Sequence, residues 1–157
     1  MIDNICNTIK SDLLRDVGLQ SSYTDDRIES IQTRLPETVS VNKFIGIVPS
    51  DESPIQYEIG QQLPTIWIYN VNVVILIKDM DYASGLTRLA KVTRRVKKSF
   101  AKTSTLKQQS DTTDNMTETI VDYSITRVDF ESGRMPSDKN FNHVAVMTVQ
   151  VKTTLDY

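Results

Sequence analysis

One stretch concentrates the ionisable side chains of this sequence. Arg88, Lys91, Arg94, Arg95, Lys97, Lys98 and Lys102 follow one another with no acid between Asp81 and Asp111. Apolar residues recur between them at helical spacing, and at 1.5 Å rise per residue the helix presents a basic surface about 20 Å long. Three kinds of counter-charge are open to such an array. Acids of the same chain are the plainest. Acids of a neighbouring subunit come next, because they would fix register as well as contribute energy. Nucleic-acid phosphates also favour a basic array, but nothing else in the chain reads as an element that recognises nucleic acid.

The remaining candidates for chemistry are isolated. Cys6 is the only cysteine and His143 the only histidine, which excludes a Cys/His zinc site and an intrachain disulfide. Cys6 falls on an apolar helical stripe and reads as a small buried hydrophobe. His143 falls at the start of a strand with no evident carboxylate partner and reads as a half-exposed structural residue. Asp79 and Asp81 flank the turn before the basic helix; Asp81 suits an N-cap better than a metal ligand. Asp111 and Asp114 lack the glycine and the closing glutamate of a calcium loop. Asn115-Met116-Thr117 matches a glycosylation sequon, inert without secretion. There is no Gly-rich phosphate loop, nucleophile elbow or zincin motif, so neither a catalytic residue nor a cofactor is expected.

The basic helix, Tyr82 to Ala101, is preceded by a long strand from Thr65 to Lys78. Its odd positions Trp67, Tyr69, Val71, Val73, Ile75 and Ile77 are all apolar, and its even positions carry Asn70 and Asn72 between Ile66, Ile68, Val74 and Leu76. One face therefore meets a core and the other needs a cover, which the N-terminal helix can supply in part. On the helix, Tyr82, Leu86, Leu89, Val96 and Phe100 form the apolar stripe. Upstream, Ile2, Ile5, Cys6, Ile9, Leu13 and Val17 predict an N-terminal helix ended by Gly18. Ser21, Ser22, Asp25 and Asp26 suggest a turn or loop; Ile28, Ile31 and Leu35 fit a short helix ending at Pro36, and Ile28 to Thr33 fits a strand almost as well. Val41 to Val48 reads as a strand ended by Pro49, with Gly46 marking a bulge or a close backbone approach. Ile55 to Ile59 reads as a short extended piece, and Gly60 to Pro64 leads into the long strand.

Downstream, Thr103 to Met116 is polar, shows no periodicity and reads as a mobile loop. Met116 to Phe130 alternates until the phase shifts near Thr126-Arg127, the mark of a bulge. Phe141 to Thr153 is the last strand. At 157 residues the chain is one domain. The expected fold is α+β: an antiparallel or mixed sheet of about four strands with two main helices packed on one face. The net charge is near neutral at −2. No apolar run reaches the length of a membrane span and the N-terminus has no secretory pattern, so a soluble protein of a reducing compartment is expected.

The layout resembles the tail terminator (tail completion) proteins of tailed bacteriophages. An N-terminal amphipathic helix, the entry Leu63-Pro64-Thr65-Ile66-Trp67-Ile68 into a long strand, a helix just after it, a polar loop and two closing strands carry the resemblance over residues 1–157. It implies a virion protein assembled in the host cytoplasm, a homo-oligomer forming a hexameric ring. That ring would cap the tail tube and join it to the head-side connector or neck proteins, and DNA would pass through it without specific binding. Related neck and head-completion ring proteins share size and habit. On this reading Arg88, Lys91, Arg94, Arg95, Lys98, Lys102, Leu106 and Met116 are candidate interface residues. The basic ones would face acids of an adjacent chain, either within Thr103 to Glu118 or near Asp25, Asp26, Asp51 and Glu52. A nucleic-acid-binding module using residues 88–102 is the alternative.

Overall fold

Strand pairing dominates the computed structural model, which describes residues 1–20, 27–57 and 64–156. In chain order the elements are α1 (Ile2–Arg15), α2 (Val17–Gln20), β1 (Ser30–Gln32), β2 (Lys43–Tyr57), β3 (Pro64–Asp79), α3 (Tyr82–Lys102), a 3-10 turn (Leu106–Gln108), β4 (Ser110–Thr113), β5 (Met116–Gly133) and β6 (Phe141–Asp156). The strands form one curled sheet, a half-barrel, in the order β1-β2-β3-β6-β5-β4. Only β1 and β2 run parallel; every other neighbouring pair is antiparallel.

This corrects the expectation of about four strands with two helices. The two extra strands, β1 and β4, are three and four residues long and mostly polar. Too short to show an alternation of period two, they are created by pairing with β2 and β5. Other boundaries move for related reasons. The strand expected to stop at Pro49 runs on to Tyr57, absorbing Pro49 and Pro54 at register irregularities on its way. Helix α1 ends at Arg15, so Val17 lies outside it and is 78% exposed, and Gly18 sits in the short α2 instead of capping α1. Of the two readings for Ile28 to Leu35, a strand forms, at Ser30–Gln32. Gly46 marks a close approach and no bulge: its pairing with Val74 is regular, and a Cβ there would stand 3.1 Å from the Arg34 carbonyl oxygen. The irregularity between Ile125 and Arg127 is present in β5. The expected turn at Ser21 to Asp26, and Glu58 to Leu63 with the first residue of the strand entry, lie outside the described residues, and Pro64 to Ile68 of that entry open β3.

The core lies on the odd-residue face of β3. Val71, Val73, Ile75 and Ile77 are fully buried against Ala145, Met147, Val149 and Val151 of β6, and against Ile5, Cys6, Ile9 and Leu13 of α1 and Leu89, Val92, Val96 and Phe100 of α3. Burying a side chain of this kind is worth about 1.5–3 kcal/mol, so this two-layer cluster dominates stability. The thiol of Cys6 is pushed up to about 11 by burial, with Asp3 adding to the effect, which leaves it unreactive at neutral pH.

The stripe of α3 is shifted from the one expected. Its buried face is Gly85, Leu89, Val92, Thr93, Val96, Ser99 and Phe100, while Tyr82 and Leu86 are exposed. Helix α1 packs on the core face and leaves the even-residue face of β3 uncovered, with Ile66, Ile68, Val74 and Leu76 half-buried. Residues 33–42 cover only the end of that face near Phe44, where the Lys78 ammonium donates to the Val39 carbonyl.

His143 is fully buried, not half exposed. Gly85 of α3 makes this possible, because its missing side chain lets the helix close over the imidazole. A Cβ at Gly85 would lie 2.5 Å from His143 Cδ2 and 2.8 Å from the Asp79 Cβ. The ring cannot retreat freely, since its Nδ1 is 2.7 Å from the Ser132 hydroxyl and Tyr82 stands edge-on to it. Gly85→Ala therefore sets two effects against each other. Helix propensity favours alanine by about 0.8–1 kcal/mol. Overpacking a fixed contact costs about 1–3 kcal/mol. The clash wins, and urea denaturation of the variant is expected to show a lower midpoint with an unchanged slope.

Candidate assembly surface

Asp81 caps α3: its carboxylate accepts from the Ser84 N–H at 3.0 Å. Asp79 accepts from the Asp81 N–H at 2.9 Å and from Arg88 at 2.9 Å. Both acids of the turn are thus engaged in holding the start of the helix. Among the described residues no group of three or more His, Cys, Asp or Glu stands together as a metal site, and no helix is long and apolar enough to cross a membrane.

Two groups of residues stand out on the basic face of α3. Arg88 and Arg95 turn back onto their own chain. Arg95 Nε donates to Asp16 Oδ1 at 2.9 Å, and that carboxylate also accepts from the Gly18 N–H at 2.9 Å. Asp16 is nearly buried, and a Cβ at Gly18 would stand 2.1 Å from the guanidinium carbon, so the glycine makes room for the pair. Lys91, Arg94, Lys98 and Lys102, spaced by three, four and four residues, form an exposed stripe about 16 Å long. Lys98 and Lys102 also border a cleft of about 390 Å³ between the end of α1 and the second half of α3.

The segment from Thr103 to Met116 is built, not featureless. Leu106 is fully buried, so it cannot reach a neighbouring subunit as expected for an interface residue. Asp12 of α1, nearly buried itself, accepts from the Thr105 N–H at 2.9 Å and the Thr105 hydroxyl at 2.8 Å. Gln109 then hands the chain to β4, whose pairing with β5 is closed by the two-residue turn Asp114-Asn115 with φ of 52° and 63°. Positive φ at both positions is the geometry that tight hairpins need and that Asp and Asn tolerate. Met116 is half-buried at the start of β5. Nearby, Lys107 holds the exposed Asp122 carboxyl below its usual range by a hydrogen bond and its charge.

Of the acids expected to face the basic helix, Asp51 is exposed and accepts from Asn70 at 3.0 Å, and Glu52 is exposed beside it. Asp25 and Asp26 lie outside the described residues. Two features were not anticipated. The first is an apolar end beside the start of α3, where Met80 and Met135 are 71% and 65% exposed and Tyr82 packs edge-on to Phe141 at 5.4 Å. The second is the outer edge of β5, where Phe130 is 58% exposed although it lies on the core side of the sheet. The phase shift at Thr126-Arg127 was the signal that Phe130 joins that side.

No family model matches the chain, and no curated protein matches it. Among solved structures, a chain described as "Virion of native gene transfer agent (GTA) particle" is similar in fold, with a TM-score of 0.52 at 10% identity, over 94% of this chain and 93% of that one. A second solved structure aligns over 96% of this chain and 95% of its own, but at a TM-score of 0.40 and 5% identity it supports no argument.

Proposed function

We propose that this chain is a structural virion protein, a ring-forming tail terminator that caps the tail tube and joins it to the head-side connector. The observation that carries the reading is the shared fold, end to end, with a chain from a gene transfer agent virion. The resemblance to tail terminators points the same way. So does the surface: a half-buried apolar sheet face, an exposed basic stripe and exposed acids suit a subunit that is completed by copies of itself. The role needs no catalysis and no cofactor. Another neck or head-completion ring would use the same surfaces.

The nucleic-acid reading is disfavoured by a specific contact pattern. Arg88 and Arg95 are bonded to Asp79 and Asp16, which shortens the array open to phosphates. Each phosphate neutralised adds about one unit to the salt slope, so tight and steeply salt-dependent DNA binding by the isolated subunit would favour that alternative. The direct test of the terminator role is the morphology of particles made without the protein. Tails of abnormal length, or tails unattached to heads, are expected; normal joined tails would rule the role out.

A further inference from the structure

The sheet ends in two open edges that match each other. Beyond β5, β4 covers only Met116 to Thr119, so from Asp122 to Gly133 no strand lies beside β5 among the described residues. On the far side of the sheet, β1 is the other edge. The registers carry one row across all the strands between them. Ile31 stands opposite Ile45, Ile45 opposite Ile75, Ile75 opposite Ala145, and Ala145 opposite Phe130. Four members of this core-side row are buried, and Phe130, where it ends, is exposed.

We infer that β5 of one copy pairs antiparallel with β1 of the next copy, so that Ile31 of the neighbour continues the row past Phe130. This rests on the ring reading above and names the surface that would build it. Three observations select a second copy as the occupant. Direction is right: β1 runs with β2, and three antiparallel pairings turn β5 against it. Faces are right: the rows of Ser30 and Gln32 end at Glu131 and Asp129 on the outer side. A slip by two residues would keep those faces and a slip by one would not. Polarity is right: in this register Ser30 meets Glu131 and Gln32 meets Asp129, so side chains that can donate hydrogen bonds stand against carboxylates. Arg127 takes up part of Asp129 at 2.7 Å, and Glu131 is exposed.

The other open stretch of edge, along β2 from Val48 to Tyr57, does not compete. It carries Pro49, Pro54, Asp51 and Glu52 and breaks register at both prolines, the features that keep an edge from pairing. The interface is therefore heterologous: it joins two different edges and propagates head to tail, and it forms a ring wherever the rotation closes.

The test uses the full chain carrying Ser30→Cys and Glu131→Cys, oxidised at high concentration and run on a denaturing gel. The two positions lie on the first and fifth strands of the sheet, four spacings or about 19 Å apart along it, so they cannot bridge within one chain. A ladder extending beyond the dimer is expected, absent from either single-cysteine variant. Phe130→Lys, at an exposed site, is expected to abolish both the ladder and the native multimer while circular dichroism stays unchanged. A discrete multimer by native mass without a ladder would overturn the edge pairing and leave the ring reading standing. A ladder that stops at the dimer would overturn the head-to-tail arrangement. A chain that stays monomeric at every concentration and with tail tubes added, and gives no ladder, would overturn the ring reading and this inference with it.

Discussion

Leu106→Ala is expected to destabilise the subunit by about 2–5 kcal/mol, the range for truncating a fully buried leucine. The position within that range depends on how far the site can collapse. Its neighbours are fixed: the Asp12 carboxylate holds Thr105, and Gln109 accepts from the Ile120 N–H at 3.2 Å. Little relaxation is available, which favours the upper half. The readout is the urea midpoint, together with limited proteolysis. In the native chain the stretch from Thr103 to Gln109 should resist cleavage; in the variant it should become the first site cut. A midpoint unchanged within error would mean that Leu106 does not anchor this segment.

Arg95→Glu is expected to cost about 2–4 kcal/mol. It removes a charged hydrogen bond to the nearly buried Asp16 and sets a second carboxylate against it. The arginine is 38% exposed, so solvent screening keeps the cost below that of a fully buried pair. Arg95 therefore cannot be used to probe assembly without disturbing the fold. Arg94 and Lys98 can, because both lie on the exposed stripe. Arg94→Glu with Lys98→Glu is expected to leave the denaturation midpoint within about 0.5 kcal/mol of the native chain and to weaken the multimer. If the double variant assembles normally but its particles package or eject DNA poorly, the stripe faces the lumen.

The long, periodic elements were legible in the sequence. Strands β3 and β6 and helices α1 and α3 announce themselves because a buried face imposes a period on more than ten residues. The Asp81 cap and the bulge near Thr126-Arg127 were legible for a local reason, a residue type or a phase break at one point. What was hidden depends on partners far along the chain. Strand β1 exists because Lys43 to Gly46 offers an edge, and β4 because Asp114 and Asn115 turn the chain back onto β5. Proline usually ends a strand, but at the edge of a sheet its missing N–H can point away from the ladder, so β2 continues through Pro49 and Pro54.

The candidate surface was legible in outline only. Charge spacing identified the basic helix, but which of its arginines turn inward follows from where Asp16 and Asp79 stand in space. Leu106 was read as an interface residue of a mobile loop, whereas it is buried within its own chain, since a lone apolar residue in a polar stretch looks the same in either role. The exposure of Phe130 could not be read from sequence, because it arises from the sheet running one strand further than the helices that cover it.

The central claim, that copies of this chain close into a ring, is tested most directly by the native mass of the assembly. It should be measured from dilute to concentrated solution and again with tail tubes added. The account predicts a single discrete closed multimer, hexameric by the resemblance to tail terminators, that gains population with concentration or on the tube end. A chain that remains monomeric under all of these conditions, or that stops at a twofold dimer, would contradict it.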